Sequence, residues 1–310
     1  IYLYDKVLNW FWNTRYEGLY SIGIDRIKDL AAGNTIIYAP SHRSHIDYLA
    51  LSHQLYLNNL MMPQIVAGKN LNLPIIGPIL RNGGAFFMRR SFGNNKLYSR
   101  VFYEHLRKLL QRGSSIEFFP EGGRSRSGRL LPPRPGIISM LIRAFQDMDE
   151  KPVKFVPISM NYEKVLEGNS YHKEAMGGTK KRESLQSILR VAKDFRGYLG
   201  NAYLQIGEPI DLKEFLDNNF ENWADNIISE DLDNSPTQQW LYYLTPRLGK
   251  EIMKNINKAT VVTPSALFAS AILNANKFRL SKEKLKSRIS LYTNLIKSVS
   301  YTHLRAHETH

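Results

Sequence analysis

The chain has 310 residues, 43% hydrophobic and 23% charged, enough for one large folded domain or one domain with a smaller helical companion. It contains no cysteine, which excludes a thiol nucleophile, a zinc–thiolate centre and a disulfide framework. Lys and Arg number 42 against 28 Asp and Glu, a net +14, and no apolar run reaches the ~18–20 residues that span a bilayer. The expected partner is therefore anionic: a phosphate ligand, an anionic lipid surface or nucleic acid.

In chain order, residues 1–20 carry Tyr2, Tyr4, Trp10, Phe11, Trp12, Tyr16 and Tyr20 in a stretch that reads as a helix. It belongs to an aromatic-rich segment, 1–33, suited to a membrane interface or to packing on the adjoining domain. The first residue is Ile1 rather than methionine, so the chain reads as a fragment with more sequence upstream. Thr35 to Ala39 reads as a buried strand, Pro40 and Ser41 as a stop and a helix cap, and Ile46 to Leu51 as the start of a helix.

Further strands are expected at Gln64–Ala67, Gly84–Met88, Ser115–Phe119, Phe155–Met160 and Ala202–Ile206, with a helix over about 95–112. Strands alternating with helices predict an α/β fold, a mixed or mostly parallel sheet flanked by helices, over 34–210. Its site is expected at strand C-terminal ends, where the polar motifs fall. From 211 to 299 the strand signal stops and a helical C-terminal region is expected, with Thr263 and Pro264 starting one helix. The tail 300–310 breaks the preceding amphipathic pattern and reads as disordered or foreign sequence.

Charge is segregated along this order. Residues 89–134 hold 11 basic and 3 acidic side chains, 277–297 hold 7 basic against Glu283 alone, and 208–233 hold 9 acidic against Lys213.

Three constellations carry chemistry. His42 stands five residues before Asp47, directly after the first strand. A carboxylate can fix the tautomer of an imidazole and steady its protonated form. Residues five apart on an ideal helix lie about 140° from each other. The two therefore meet only if His42 precedes the helix and turns back over its first turn. There the helix dipole disfavours imidazolium and keeps the ring able to accept a proton. His45 reads as a helix cap, and His53 and His105 fall on helices without a role.

Arg89 and Arg90 follow a strand and can present planar forks to a phosphate. The Gly-rich run Glu121-Gly122-Gly123-Arg124-Ser125-Arg126 follows another strand. Its glycines let the backbone approach an anion, Arg124 and Ser125 can contact it, and Glu121 can hold an arginine fork or a substrate hydroxyl.

The order His42…Asp47, Gly84-Ala85-Phe86-Phe87-Met88-Arg89-Arg90, Phe119-Pro120-Glu121-Gly122-Gly123-Arg124-Ser125-Arg126-Ser127-Gly128-Arg129 and Val156-Pro157-Ile158 resembles the four blocks of the glycerolipid acyltransferase family. The branch that it resembles most is the bacterial membrane-bound one acting at the sn-1 position of glycerol 3-phosphate. Ala67-Gly68-Lys69-Asn70-Leu71-Asn72 and Asn95-Lys96-Leu97-Tyr98-Ser99 share that likeness, which extends over about 35–298.

The resemblance implies His42 as general base and Asp47 as its orienting partner. It implies Arg89 and Arg90 on the glycerol phosphate, Glu121, Gly122, Arg124 and Ser125 completing that pocket, and Pro157 shaping a wall of the site. It implies no cofactor and no metal. The partners would be glycerol 3-phosphate, an acyl thioester on acyl carrier protein or coenzyme A, and an anionic membrane surface rather than nucleic acid. The protein would lie peripherally on the cytoplasmic face of the inner membrane. Met88 stands where isoleucine is usual, and Pro120 lies within the third block; neither removes a functional group.

Other chemistry fits parts of the pattern. His42, His45 and Asp47 could serve a metal-dependent phosphoesterase, although the spacing lacks adjacent ligands and no second His/Asp cluster follows a strand. A non-catalytic membrane- or nucleic-acid-binding module would explain the basic stretches but not the His–Asp pair.

Overall fold

The computed structural model describes residues 2–72, 74, 76–89, 95–148, 151–177, 199–221, 223, 239–275 and 278–298. Among the described residues eight strands form one sheet. They are β1 (Gly18–Ile22), β2 (Thr35–Pro40), β3 (Gln64–Gly68), β4 (Ala85–Met88), β5 (Ile116–Glu117), β6 (Val153–Tyr162), β7 (Asn201–Ile206) and β8 (Ile210–Asp211). Their order is β1-β7-β6-β2-β5-β3-β4, with β8 also on β6. Strands β6, β2, β5, β3 and β4 run parallel, while β7 and β8 lie antiparallel to β6. The parallel strands therefore share one C-terminal edge, and the loops that carry His42, Arg89 and the Gly-rich run leave the sheet there.

Strand β2 is buried along its whole length because it is central and covered on both faces. Its side chains alternate between two cores. Ile36 and Tyr38 join Val156, Ile158 and the helices α1 (Tyr2–Arg15) and α3 (Asp47–Leu57) on one face. Ile37 and Ala39 join Phe155, Phe118 and the helices α5 (Lys96–Gln111) and α6 (Pro135–Gln146) on the other. This period-two split makes β2 a rigid base for the loop that carries His42. Along the chain, helix α4 (Ile76–Asn82) lies between β3 and β4, and α7 (Gly168–Ala175) comes after β6.

The N-terminal segment differs from its expectation. The helix expected over 1–20 ends at Arg15, and Gly18–Ile22 enters the sheet as β1, parallel to β7. The aromatic spacing that suggested one long helix divides its work. Trp12 and Tyr16 plug the core, while Tyr20 stacks on its cross-strand partner Tyr203 with ring centroids 5.7 Å apart. The short helix α2 (Asp25–Ala31) leads into β2 and buries Ile27. Residues 1–33 thus share a core with the central strands of the sheet.

Ser41 also departs from its expected cap role. Helix α3 begins at Asp47, and Ser41 extends the strand instead: its N–H donates to the Ile158 carbonyl at 2.8 Å and its Oγ accepts the Met160 N–H at 2.9 Å.

Beyond β8 the described chain is helical: α8 (Leu212–Asn219), α9 (Gln239–Lys258), α10 (Pro264–Leu273) and α11 (Lys282–Ser298). Helix α9 buries Trp240, Leu244, Leu248, Ile252 and Ile256, a four-residue repeat that lays one stripe against the α5–α6 core. Thr263 caps α10 as expected, its Oγ1 accepting the Ala266 N–H. The second part of the acidic stretch and the tail 300–310 fall outside the described residues. No described helix is long and apolar enough to cross a membrane.

Candidate active site

His42 lies in the turn between β2 and α3, and its ring folds back over the first turn of that helix. His42 Nδ1 is 2.8 Å from Asp47 Oδ2. The same oxygen accepts the Arg43 N–H at 2.6 Å and the Ser44 N–H at 2.9 Å, so the turn is wound around the carboxylate. The other oxygen, Oδ1, accepts the Tyr162 hydroxyl at 2.7 Å. Asp47 is fully buried and meets only donors, so Nδ1 of His42 carries a hydrogen and donates it. Nε2 then keeps its lone pair. The His42 side chain retains 13% exposure, and its ring stacks on Phe119 with centroids 4.0 Å apart.

The Gly-rich loop after β5 is tied to the same turn through Glu121. Its two oxygens accept backbone amides, His42 N–H at 2.8 Å and Leu131 N–H at 2.7 Å. Glu121 therefore anchors the turn that carries His42 to the loop. Burial pushes its carboxyl up, against the two amides and the Arg43 charge that hold it down.

Ser125 donates its N–H to the His42 carbonyl at 2.8 Å, and its hydroxyl closes on the Arg129 carbonyl. Gly122 has φ +63°, and a Cβ there would come within 2.7 Å of the Arg134 side chain; conformation and space both call for glycine.

Arg124 sits in a buried network. Its side chain is 8% exposed, and Nη1 is 3.2 Å from Glu167 Oε1, 2.9 Å from the Tyr171 hydroxyl and 2.6 Å from His45 Nδ1. Glu167 also accepts the Ser44 hydroxyl at 2.7 Å and the His45 N–H at 3.0 Å, and it lies 2.9 Å from His45 Nδ1. That one nitrogen satisfies either the carboxylate or the guanidinium, according to its tautomer. Burial pushes the Glu167 carboxyl up, but hydrogen bonds from the His45 ring and amide and the Ser44 hydroxyl outweigh it and hold the group at about 2. Burial pushes the His45 ring down, which keeps it neutral beside Arg124.

His45 thus belongs to a carboxylate–guanidinium cluster rather than to a helix cap. It turns to Glu167 while His42 turns to Asp47. Among the described residues no group of three His, Asp or Glu side chains gathers as metal ligands.

The remaining expected residues lie further out. Arg89 is exposed beyond β4, its guanidinium 4.7 Å from the Tyr98 ring centroid and its N–H on the Tyr98 hydroxyl at 3.1 Å. Strand β4 is three places from β2, about 14 Å at the usual inter-strand spacing. Arg90 lies outside the described residues. Pro157 is buried within β6 opposite Ala39, and its carbonyl accepts the Gly207 N–H at 2.8 Å; its place is in the sheet below the site.

Sequence reasoning missed Tyr162, Glu167, Tyr171 and Phe119. The first three reach the turn across more than 100 residues of chain, and no local pattern marks them. Phe119 adjoins the Gly-rich loop and could have been inferred from that position.

Two family models match the chain: "Acyltransferase" over residues 21–161 and "Glycerol-3-phosphate acyltransferase C-terminal region" over 171–309. The chain is 44% identical over 298 residues to the glycerol-3-phosphate acyltransferase of Pseudomonas aeruginosa, covering 96% of this chain and 35% of that protein. The chain is thus similar to glycerol-3-phosphate acyltransferases along nearly its whole length. The Pseudomonas putida protein of the same name is 42% identical over the same share of this chain and 36% of its own length. The chain spans about a third of the length of these curated relatives. Among solved structures, the 1-acyl-sn-glycerophosphate acyltransferase of Thermotoga maritima matches with 19% identity and a TM-score of 0.38, over 79% of this chain and 74% of that one.

The acyltransferase match spans the turn that carries His42, the Gly-rich loop and β6 up to Asn161. Glu167 falls between the two matched regions, and Tyr171 opens the second.

Proposed function

We propose that the site transfers an acyl group from an acyl thioester to the sn-1 hydroxyl of glycerol 3-phosphate, giving 1-acylglycerol 3-phosphate, the first step of phospholipid synthesis. The observation that carries this reading is the His42–Asp47 pair, its carboxylate buried and its ring stacked on Phe119, at the C-terminal edge of a sheet in a chain similar to glycerol-3-phosphate acyltransferases.

His42 Nε2 takes the proton of the acceptor hydroxyl as that oxygen attacks the thioester carbonyl. The tetrahedral intermediate collapses with cleavage of the C–S bond, and the proton passes from His42 to the departing thiolate. Asp47 steadies the imidazolium between these steps. General-base assistance of this kind contributes about 10²–10⁴-fold. Binding both substrates together contributes more, up to ~7–11 kcal/mol of barrier in favourable systems. With no cysteine in the chain, the transfer is written as direct, without an acyl-enzyme.

Arg89 and Arg90 hold the phosphate. The ~14 Å between β4 and β2 is divided between an arginine side chain and the length of the substrate. Arg124, locked by Glu167, supplies fixed positive charge beside the turn. Glu121, Gly122 and Ser125 support the site by holding the loop to His42. Pro157 supports it from within the sheet.

The acyl donor is carried by acyl carrier protein or coenzyme A, both anionic and suited to the basic stretch 89–134. The lipid product calls for peripheral attachment to the cytoplasmic face of the membrane. Helices α10 and α11 support that reading, with exposed Phe268, Leu273, Leu291 and Leu295 beside Lys282, Lys284, Lys286 and Lys297.

The test is release of thiol from an acyl thioester with and without glycerol 3-phosphate. Release that depends on the acceptor supports transfer; release that ignores it marks a thioesterase and overturns the reading.

A further inference from the structure

Asp47 presents its two oxygens unequally. Oδ2 faces His42 Nδ1 and two backbone amides, whereas the contact on Oδ1 is the hydroxyl of Tyr162 at 2.7 Å. Tyr162 ends β6, where its register against Ala202 of β7 fixes the backbone. Its ring packs against that of Tyr16 with centroids 5.8 Å apart, and Tyr16 is itself wholly buried. The phenol thus has a direction set by β6 and by Tyr16 in the bend just after α1, neither of which belongs to the turn that carries His42. Burial, with the nearby Asp47 charge, pushes the phenol above its ordinary range, so the hydroxyl keeps its hydrogen and acts toward the carboxylate as a donor.

We propose that Tyr162 is a positioning residue for the His42–Asp47 pair: its hydroxyl fixes the Asp47 carboxylate and tempers the negative charge offered to the imidazole. The inference rests on the reading of His42 as the base. A hydrogen bond on Oδ1 draws electron density from the carboxylate, so less of it faces the imidazolium. Removing the donor leaves a more strongly negative partner, which stabilises the protonated ring, and His42 is then free to accept the substrate proton only at higher pH. A stronger donor does the reverse. The carboxylate also gains freedom to rotate when Oδ1 is released, which loosens the imidazole with it.

The experiment compares wild type, Tyr162→Phe and a protein carrying ring-fluorinated tyrosine at position 162, a more acidic phenol of nearly the same shape. The His42 ring is followed by NMR against pH, and kcat and KM are measured across the same range. In Tyr162→Phe the midpoint of the His42 titration and the acid limb of kcat/KM are expected to move to higher pH. In the fluorinated protein both move to lower pH. The kcat of Tyr162→Phe is expected to fall about 10–100-fold, as for other partners that orient a catalytic ligand, with KM for glycerol 3-phosphate unchanged.

Midpoints that coincide in all three proteins, or that move the same way in both variants, overturn the proposal and leave Tyr162 a packing residue. The NMR titration needs no turnover, so it judges Tyr162 independently of whether acyl transfer is observed. Should Tyr162→Phe fail to fold, the fluorinated protein decides alone: no movement to lower pH overturns the proposal.

Discussion

At the scale of single residues, the proposed site separates groups assigned to the chemistry from groups assigned to holding them. His42 and Asp47 are in direct contact, and Nε2 points away from the carboxylate. His42→Ala and Asp47→Ala are each expected to lower acceptor-dependent thiol release by at least 10²–10⁴-fold without loss of fold, checked by circular dichroism. Glu121 belongs to the holding group, because its oxygens satisfy the amides of His42 and Leu131. Glu121→Ala strands both amides, and a melting experiment is expected to show a loss of about 1–3 kcal/mol. If Glu121 instead touched substrate, the variant would lose activity with stability intact.

Arg89→Ala and Arg90→Ala are expected to raise KM for glycerol 3-phosphate more than KM for the acyl donor. A change confined to the donor would mean that the two pockets are interchanged. The dyad was legible in the sequence because five residues and a preceding strand define its geometry. The roles of Glu121 and Arg124 were not, since residue type shows charge but not what already neutralises it.

At the scale of elements, the parallel strands β2, β5 and β6 place three loops on one edge, and hydrogen bonds between loops join them. The sequence marked six of the eight strands, because each combines a short apolar run with a polar motif or turn behind it. Strand β1 escaped because the spacing of Trp12, Tyr16 and Tyr20 also suits a helix. The bend at Tyr16 and Glu17 decides otherwise, with the Glu17 N–H donating to the Gly200 carbonyl at 3.0 Å. Strand β8 escaped because two residues hold no period.

Strand β5 carries a further consequence. Glu117 is fully buried in it, and burial together with the Asp47 charge raises its carboxyl well above the ordinary range. A carboxyl that is neutral when folded and ionised when unfolded costs stability as pH rises above its unfolded value, until the folded group ionises too. Glu117→Gln is therefore expected to stabilise the protein at neutral pH and to flatten this decline. Melting temperatures taken from pH 5 to 8 check it, and a parallel decline in wild type and variant would contradict it.

At the scale of the whole molecule, the N-terminal segment, the sheet and α9 share continuous cores. Removing residues 1–22 takes away a sheet strand with Trp12 and Tyr16, and the truncated protein is expected to be insoluble or molten by near-UV circular dichroism. Acid sensitivity belongs to this scale as well. Glu167 joins β6 and α7 to the catalytic turn and the Gly-rich loop, with its carboxyl held at about 2. Such a group contributes stability above its unfolded value, lost as pH falls from there toward 2; the difference corresponds to roughly 3 kcal/mol. Glu167→Gln is expected to be less stable at neutral pH and to lose less than wild type on acidification.

The most direct measurement is the rate of thiol release from an acyl thioester, with and without glycerol 3-phosphate, in wild type and in His42→Ala. The imidazole-base account expects release only when the acceptor is present and only when His42 is intact. Release by His42→Ala at the wild-type rate would contradict it.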